Sequence, residues 1–377
     1  MEEFLKQYLN IKKHMRDKIN KLKLNFKKKF FPIYIFFFKI YLIPQRLYFY
    51  KQNIYESNII KNHLGKYKNI IGVYDLNTFN APLSIGDFIY FIFFYKYFAI
   101  SNKKVFIYII KKNRNLNTFD KILNKKQQKD FINLYFLISR VFIGKNLIDV
   151  QFVSWENFEK KKFKDFYMPY KNRIMKQKEI RNFLVAMLNP LLKKKSKKFL
   201  KNFLLNQSIL NRYSPKIKPK GNYITWHIRQ AQTWSFKRNL KENEILSIYK
   251  IIVNKFKNMD IVIISDKNGC EFVKKIDRKF NLKLKYCKDM GSSLLSDFYL
   301  ILNSKCFIAF KGGGAICAAE FSNVPFCCAW TFGIKEQLMN DRFEDIDKTQ
   351  FWHRKNQVWV NSHHIENFLE TFKNYRL

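Results

Sequence analysis

The chain has 377 residues, 47% of them hydrophobic, and a formal net charge of +42 from 71 Lys and Arg against 29 Asp and Glu. That length allows two domains with separate cores, and that composition excludes a disordered chain. The charge points to an anionic partner such as nucleic acid, a membrane surface or a phosphorylated substrate, but a chain so rich in Lys, Asn, Ile, Phe and Tyr also reflects biased codon usage, so charge alone does not choose among them.

The first segment, 1–60, opens with Leu5, Tyr8, Ile11, Met15, Ile19, Leu22, Phe26 and Phe30 spaced three or four apart, with lysines and Arg16 on the other faces. This is the pattern of a basic amphipathic helix. "FFPIYIFFFKIYLIP" follows, and its apolar core between Pro32 and Pro44 falls short of the roughly 20 residues that span a bilayer. It reads either as a segment lying in the interface of an anionic membrane or as a helix packed on the protein's own surface. No small-residue cleavage site follows the polar, basic opening, so no signal peptide is expected. The expected location is cytoplasmic, with peripheral attachment to the inner face of the cytoplasmic membrane.

Residues 61–190 form the first predicted α/β unit. "NIIGVYDL" reads as a buried strand, "NAPLSIGD" as a loop, "FIYFIFFYKYFAI" (Phe88 to Ile100) as a buried helix and "KKVFIYII" as a second strand, together a βαβ unit. From Asn124 to about Asn182 the pattern supports only mixed helix and strand. Residues 191–220 carry lysines from Lys193 onward and no acidic residue, ending in "SPKIKPKGN". A helix followed by a proline-containing linker fits that segment, whose charge run reads as a solvated face or a binding site, and it marks a domain boundary.

In 221–377, "NYITWHIR", "DIVIISD", "LKLKYC", "CFIAF" and "PFCCAW" read as strands, separated by helical stretches from "KENEILSIYKIIVNKF" to "AICAAEF". Such alternation signals a doubly wound parallel sheet. The fold class expected is therefore α/β, with two Rossmann-like domains facing a cleft and a basic amphipathic helix ahead of them. The six cysteines include no C-x-x-C pair and lie mostly in apolar runs, which fits small buried thiols in a reducing compartment and not a zinc site.

In an open α/β sheet, ligands sit beyond the carboxyl ends of the strands. Gly312, Gly313, Gly314 and Ala315 follow the strand "CFIAF" and precede a helix, where glycines let an anion approach the backbone N–H groups. A close-packed turn needing glycine for geometry alone is the plain alternative. The spacing matches neither G-x-G-x-x-G nor the P-loop, which disfavours a Walker-type ATPase. "WHIRQAQTWSFKRN" places His227 and Arg229 on one face of an extended strand, with Lys237 and Arg238 in the loop beyond, cations suited to a diphosphate. His227 reads equally well as a satisfied core residue. In "NAPLSIGDFIY", Asp87 opens a buried helix, either as a general base for an incoming hydroxyl or as an N-terminal cap.

These motifs together resemble the glycosyltransferases of the GT-B fold. "SIGDFIYF", "FKRN" and "GGGAICAAEFSNVP" are most similar to the heptosyltransferase family, with its Ser-Leu-Gly-Asp loop, Lys-Arg-Trp segment and Gly-x-x-His-x-Ala run ending in Pro. "HIR" and "SDFYLILNSKCFIAF" are similar instead to the His-x-Arg motif of fucosyltransferases and to their Asp-containing helix and following strand. The resemblance covers about 68–100 and 221–330. It implies transfer of a sugar from a nucleoside-diphosphate sugar to a hydroxyl of a glycan or lipid-linked acceptor, without a further cofactor. In that reading Asp87 is the general base, Arg229 and Lys237 hold the diphosphate, Gly312 to Ala315 donate backbone N–H groups to it, and Glu320 contacts a ribose hydroxyl or stands as a solvated helix residue. Cys317 stands where the heptosyltransferase run has His, Gly312 where it has an acidic residue, and Gly313 to Ala315 lack the Ser and Arg of the fucosyltransferase motif.

Two further features point elsewhere. Asp345 and Asp347 in "EDIDK" have the Asp-x-Asp spacing of metal-dependent sugar transferases of another fold, but lie in a polar segment after the last predicted strand. His363 and His364 point opposite ways in any regular structure, and no metal site is expected. The rival functions are a basic nucleic-acid-binding protein using the linker and N-terminal helix, and an inactive sugar-nucleotide-binding protein that keeps the fold without the base.

Overall fold

The computed structural model describes residues 55, 58–60, 62–63, 65–77, 85–113, 116–168, 201–205, 207–230, 239–310, 314–330, 357–361 and 365–375. The predicted N-terminal amphipathic helix and the "FFPIYIFFFKIYLIP" segment lie outside the described residues.

In the first half, β1 (Asn69–Asp75) leads through α1 (Ile85–Ile100) to β2 (Lys104–Lys112). Then α2 (Thr118–Ile122) and α3 (Lys125–Ile143) lead to β3 (Leu147–Ser154), and α4 (Trp155–Glu159) to the two-residue β4 (Phe166–Tyr167). The strands pair in parallel in the order β3-β2-β1-β4. The stretch that the sequence left as mixed helix and strand thus supplies half of this sheet.

The second half follows α5 (Gln207–Leu210) and runs β5 (Tyr223–His227), α6 (Glu242–Lys255), β6 (Asp260–Ile264), α7 (Lys267–Phe280), β7 (Lys285–Tyr286), α8 (Leu294–Asn303), β8 (Phe307–Phe310), α9 (Ala315–Glu320), β9 (Phe326–Trp330), β10 (Gln357–Asn361) and α10 (Ile365–Asn374). Its six strands are parallel in the order β10-β9-β8-β5-β6-β7. All five predicted strands are present. The sixth, β10, corrects the expectation that only a polar tail follows "PFCCAW": it pairs with β9, and α10 packs behind it. Lys255 at the end of α6 fixes that last helix, its ammonium donating to the carbonyls of Phe372 (2.7 Å) and Tyr375. A cation is suited to carbonyls that a helix end leaves unpaired.

Local signals explain why these stretches fold as they do. Asn124 caps α3 by accepting from the Gln127 N–H at 2.9 Å while the Gln127 side chain accepts from the Asn124 N–H, a reciprocal capping box. Asp266 caps α7 by accepting from the Gly269 N–H at 2.7 Å. In β1, a Cβ on Gly72 would stand 2.7 Å from the Tyr95 ring, so only glycine lets α1 lie this close to the strand.

Helix α1 is the centre of the molecule. Every residue from Phe88 to Ala99 is buried, so no face of the helix is left for solvent. One side covers the sheet, and another stacks Phe88 on Tyr135 of α3 at 3.9 Å between ring centroids. A third meets the second half, with Phe93 stacked on Phe321 at 3.8 Å and edge-on to Phe203 at 5.6 Å. Leu205 bonds through its N–H to the Phe321 carbonyl, and the side chains of both halves run into one apolar core. The six cysteines are all buried free thiols, as their apolar settings imply. No described helix is long and apolar enough to cross a membrane.

Candidate functional site

Each sheet has one place where its strand order reverses. In the first, the chain moves from β1 outward to β2 and β3, then returns to put β4 on the other side of β1. In the second, β6 and β7 lie on one side of β5 while β8, β9 and β10 lie on the other. Beyond the carboxyl ends of strands flanking such a reversal, the two outgoing loops part and leave a crevice. The segments at these reversals are those singled out from sequence: Gly86 and Asp87 after β1, His227 and Arg229 at β5, and the glycine run after β8.

Asp87 is the third residue of α1, inside the first turn, so it does not occupy the cap position before the helix. Its side chain is half-buried. Its charge helps hold up the pKa values of Tyr135 and Tyr74, two buried phenols raised chiefly by loss of water. Tyr74 and Phe88 pack edge to face at 5.1 Å behind it. A half-buried carboxylate beside buried phenols has the setting of a general base. The other carboxylate at this end of the sheet, Asp75, is fully buried and accepts from the Asn77 N–H at 2.8 Å and the Asn113 side chain at 2.5 Å, which fixes the loops rather than facing a ligand.

His227 ends β5, paired with Ile264 on one side and Ala309 on the other. It is buried, and its pKa is lowered to about 4 by loss of water and by the Arg229 guanidinium, so the ring is neutral near pH 7. Among the described residues its Nδ1 has no hydrogen-bond partner. Sequence had offered a satisfied core histidine as the alternative, and an unpartnered ring nitrogen at the carboxyl end of the strand does not fit that reading. Arg229, two residues on, is half-buried.

Gly314 precedes α9 with φ −60° and ψ −27°, a conformation open to any residue. Among the described residues, a Cβ there would meet nothing nearer than the Gly86 N–H nitrogen, at 3.8 Å. Neither its backbone angles nor packing against the described residues therefore demands glycine at 314. The same distance brings the two reversals together: the start of α9 faces the start of α1, beside Asp87. Cys317 adds a contact from its Sγ to the Gly86 carbonyl at 3.9 Å, and Ala315 is buried behind it.

Glu320 departs from both readings made of it. It is fully buried, not solvated, and accepts a hydrogen bond from the Tyr90 hydroxyl of α1, a contact that pins the two halves. A helix carboxylate normally faces water, and only the arrival of α1 buries this one. Sequence reasoning also missed Tyr74, Tyr135 and Tyr90; "VYDL" hinted at the first, whereas the other two gain meaning only through packing. Lys237, Arg238, Gly312, Gly313, Asp345, Asp347, His363 and His364 lie outside the described residues. Among those described, no group of three or more His, Cys, Asp or Glu is placed to hold a metal ion.

No protein-family model and no curated protein matches the chain. Among solved structures it is similar to a glycosyl transferase family 9 protein from Veillonella parvula DSM 2008, at 10% identity and a TM-score of 0.40, over 71% of this chain and 81% of that one. It is also similar to glycosyltransferase VinC in complex with dTDP, at 9% identity and a TM-score of 0.36, over 81% of this chain and 90% of that one. Both likenesses are faint.

Proposed function

We propose that the chain is a glycosyltransferase moving a sugar from a nucleoside-diphosphate sugar to a hydroxyl of a surface glycan or lipid-linked acceptor. Its halves act as an acceptor domain and a donor domain in the GT-B manner. The observation that carries this reading is the approach of the start of α9 to the start of α1, where the Cys317 Sγ reaches the Gly86 carbonyl at 3.9 Å and a Cβ on Gly314 would stand 3.8 Å from the Gly86 nitrogen, beside the carboxylate-bearing first turn of α1.

In this reading Asp87 takes the proton of the acceptor hydroxyl as its oxygen attacks the anomeric carbon in line, with inversion there. The bond to the diphosphate breaks, and the negative charge left on it is met by Arg229, Lys237 and Arg238 and by the backbone N–H groups of Gly312 to Ala315. His227, neutral near pH 7, offers its ring nitrogen beside them. Glu320 is given no role in this reading, because it is fully buried and its Oε2 accepts from Tyr90. No resident cofactor is invoked, and the basic 1–60 segment holds the enzyme on the anionic inner face of the cytoplasmic membrane.

The test is thermal unfolding against a panel of nucleoside diphosphates and their sugars, because a ligand bound only by the folded chain raises the midpoint. One nucleoside diphosphate should raise it in a saturable way, and its sugar conjugate should be turned over with a suitable acceptor. A chain stabilised by none of them is not a sugar-nucleotide enzyme. One that binds the donor and never transfers or hydrolyses it is the inactive relative.

A further inference from the structure

A second concavity lies away from the crevice. It has a volume of about 280 Å³ and is lined by Arg140 and Val141 of α3 and by Ser208, Ile209, Arg212 and Tyr213. None of its lining residues is acidic. Arg140 rests with its guanidinium 5.8 Å from the centre of the Phe136 ring, and among the described residues neither it nor Arg212 has a carboxylate partner. Two exposed guanidiniums with no carboxylate partner among the described residues, beside a serine and a tyrosine hydroxyl in one hollow, offer several donors to an anion seated there. The end of α3 does not supply attraction: its carbonyls carry partial negative charge, and that of Arg140 already accepts from the Gly144 N–H. The guanidiniums and hydroxyls must therefore do the binding, and exposed Lys216, Lys218 and Lys220 raise the local potential further.

The geometry points to this hollow as a binding site for a phosphoryl group, distinct from the crevice at the strand reversals. Arg140 stands about 22 Å along α3 from the helix start that lies on the crevice side. The site also straddles the two halves. Arg140 belongs to the first, whereas Arg212 follows α5, whose Gln207 side chain bonds to Asn303 at the end of α8 in the second. A phosphoryl group gripped by both ties the halves together at the edge opposite the crevice. Phe136 and Leu137, exposed large apolar residues of α3 near this rim, would meet acyl chains if the group belongs to a lipid headgroup, whereas a soluble phosphomonoester needs no such surface.

The test uses the full chain with Arg140→Gln, Arg212→Gln and the double variant. A charge-matched control, Lys250→Gln with Lys275→Gln, changes exposed lysines elsewhere. One arm titrates inorganic phosphate by calorimetry; the other measures co-sedimentation with phosphatidylglycerol vesicles, with phosphatidylcholine vesicles as the blank. The double variant should weaken at least one of these tenfold or more, with each single variant intermediate and the control close to wild type. Loss confined to phosphate identifies a soluble phosphorylated ligand, and loss confined to vesicles identifies a headgroup. If the double variant matches the control in both arms, or wild type binds neither probe, the site does not exist.

Discussion

At the carboxyl end of β1 a carboxylate, Asp87, stands near two phenols whose pKa is raised chiefly by burial and further by its charge; near the carboxyl end of β5 a guanidinium, Arg229, stands beside an imidazole whose pKa is lowered chiefly by burial and further by that cation. The two sheets share one plan, parallel strands whose order reverses once, and that plan fixes where a crevice is expected in each. What each crevice can do is set by residue type, anionic on one side and cationic on the other. The Cys317 contact with the Gly86 carbonyl brings the start of α9 close to the start of α1, and the proposed reaction sets the two reversals against each other. A reaction that removes a proton at one point and releases a negative group a few ångströms away needs this division of charge.

The sharpest way to break the comparison is to neutralise one side at a time. Asp87→Asn keeps shape and removes the base, so turnover should fall by about 10²–10⁴-fold while affinity for the nucleoside diphosphate is unchanged. Near-normal turnover would remove Asp87 from the chemistry. On the cationic side, His227 gives a pH signature. Its pKa falls from 6.5 to about 4 on folding, so the unfolded chain binds the extra proton between those values. Stability from this group is complete above pH 6.5 and is lost as pH falls toward 4, by about 3 kcal/mol in all. Denaturant melts at pH 7 and pH 4.5 should show a smaller difference for His227→Gln than for wild type; equal differences would mean that the ring is not buried neutral. Arg229→Ala should weaken diphosphate binding by about 10- to 100-fold with turnover at saturation less affected. Unchanged affinity would place the guanidinium away from the ligand.

How much of this arrangement sequence alone could supply depended on how local each signal was. Strands β1, β2, β5, β6, β8 and β9 are apolar runs buried on both faces, and helices between them follow from periodicity, so the parallel α/β plan was legible. β3 was not, because "LIDVQFVS" is half-buried along its length and its pairing with β2 shifts register twice. β10 was hidden by the polar stretch ahead of it, since at five residues it is as long as β5, β6 and β9. Among the candidate site residues, Arg229 lies just past β5 and Asp87 in the first turn of the helix that follows β1, positions that topology predicts. Tyr135 and Glu320 are ordinary helix residues until α1 packs against α3 and α9, and no spacing rule reports that meeting.

That meeting yields the smallest effect and the most direct test of whether the two crevices are held face to face. Tyr90 and Glu320 are both buried, and their hydrogen bond joins α1 to α9, the helices that begin at Ile85 and just after Gly314. Tyr90→Phe keeps the ring on Phe321, 5.4 Å away, and deletes only the donor. The loss should be about 1–3 kcal/mol in the unfolding free energy, since a buried acceptor is left without its donor. Glu320→Gln, which still accepts from the phenol, should cost less. If Tyr90→Phe leaves stability unchanged while truncation of Phe93 does not, then aromatic packing alone joins the halves. If Tyr90→Phe also weakens diphosphate binding, the hydrogen bond reaches the crevice by fixing where α9 begins.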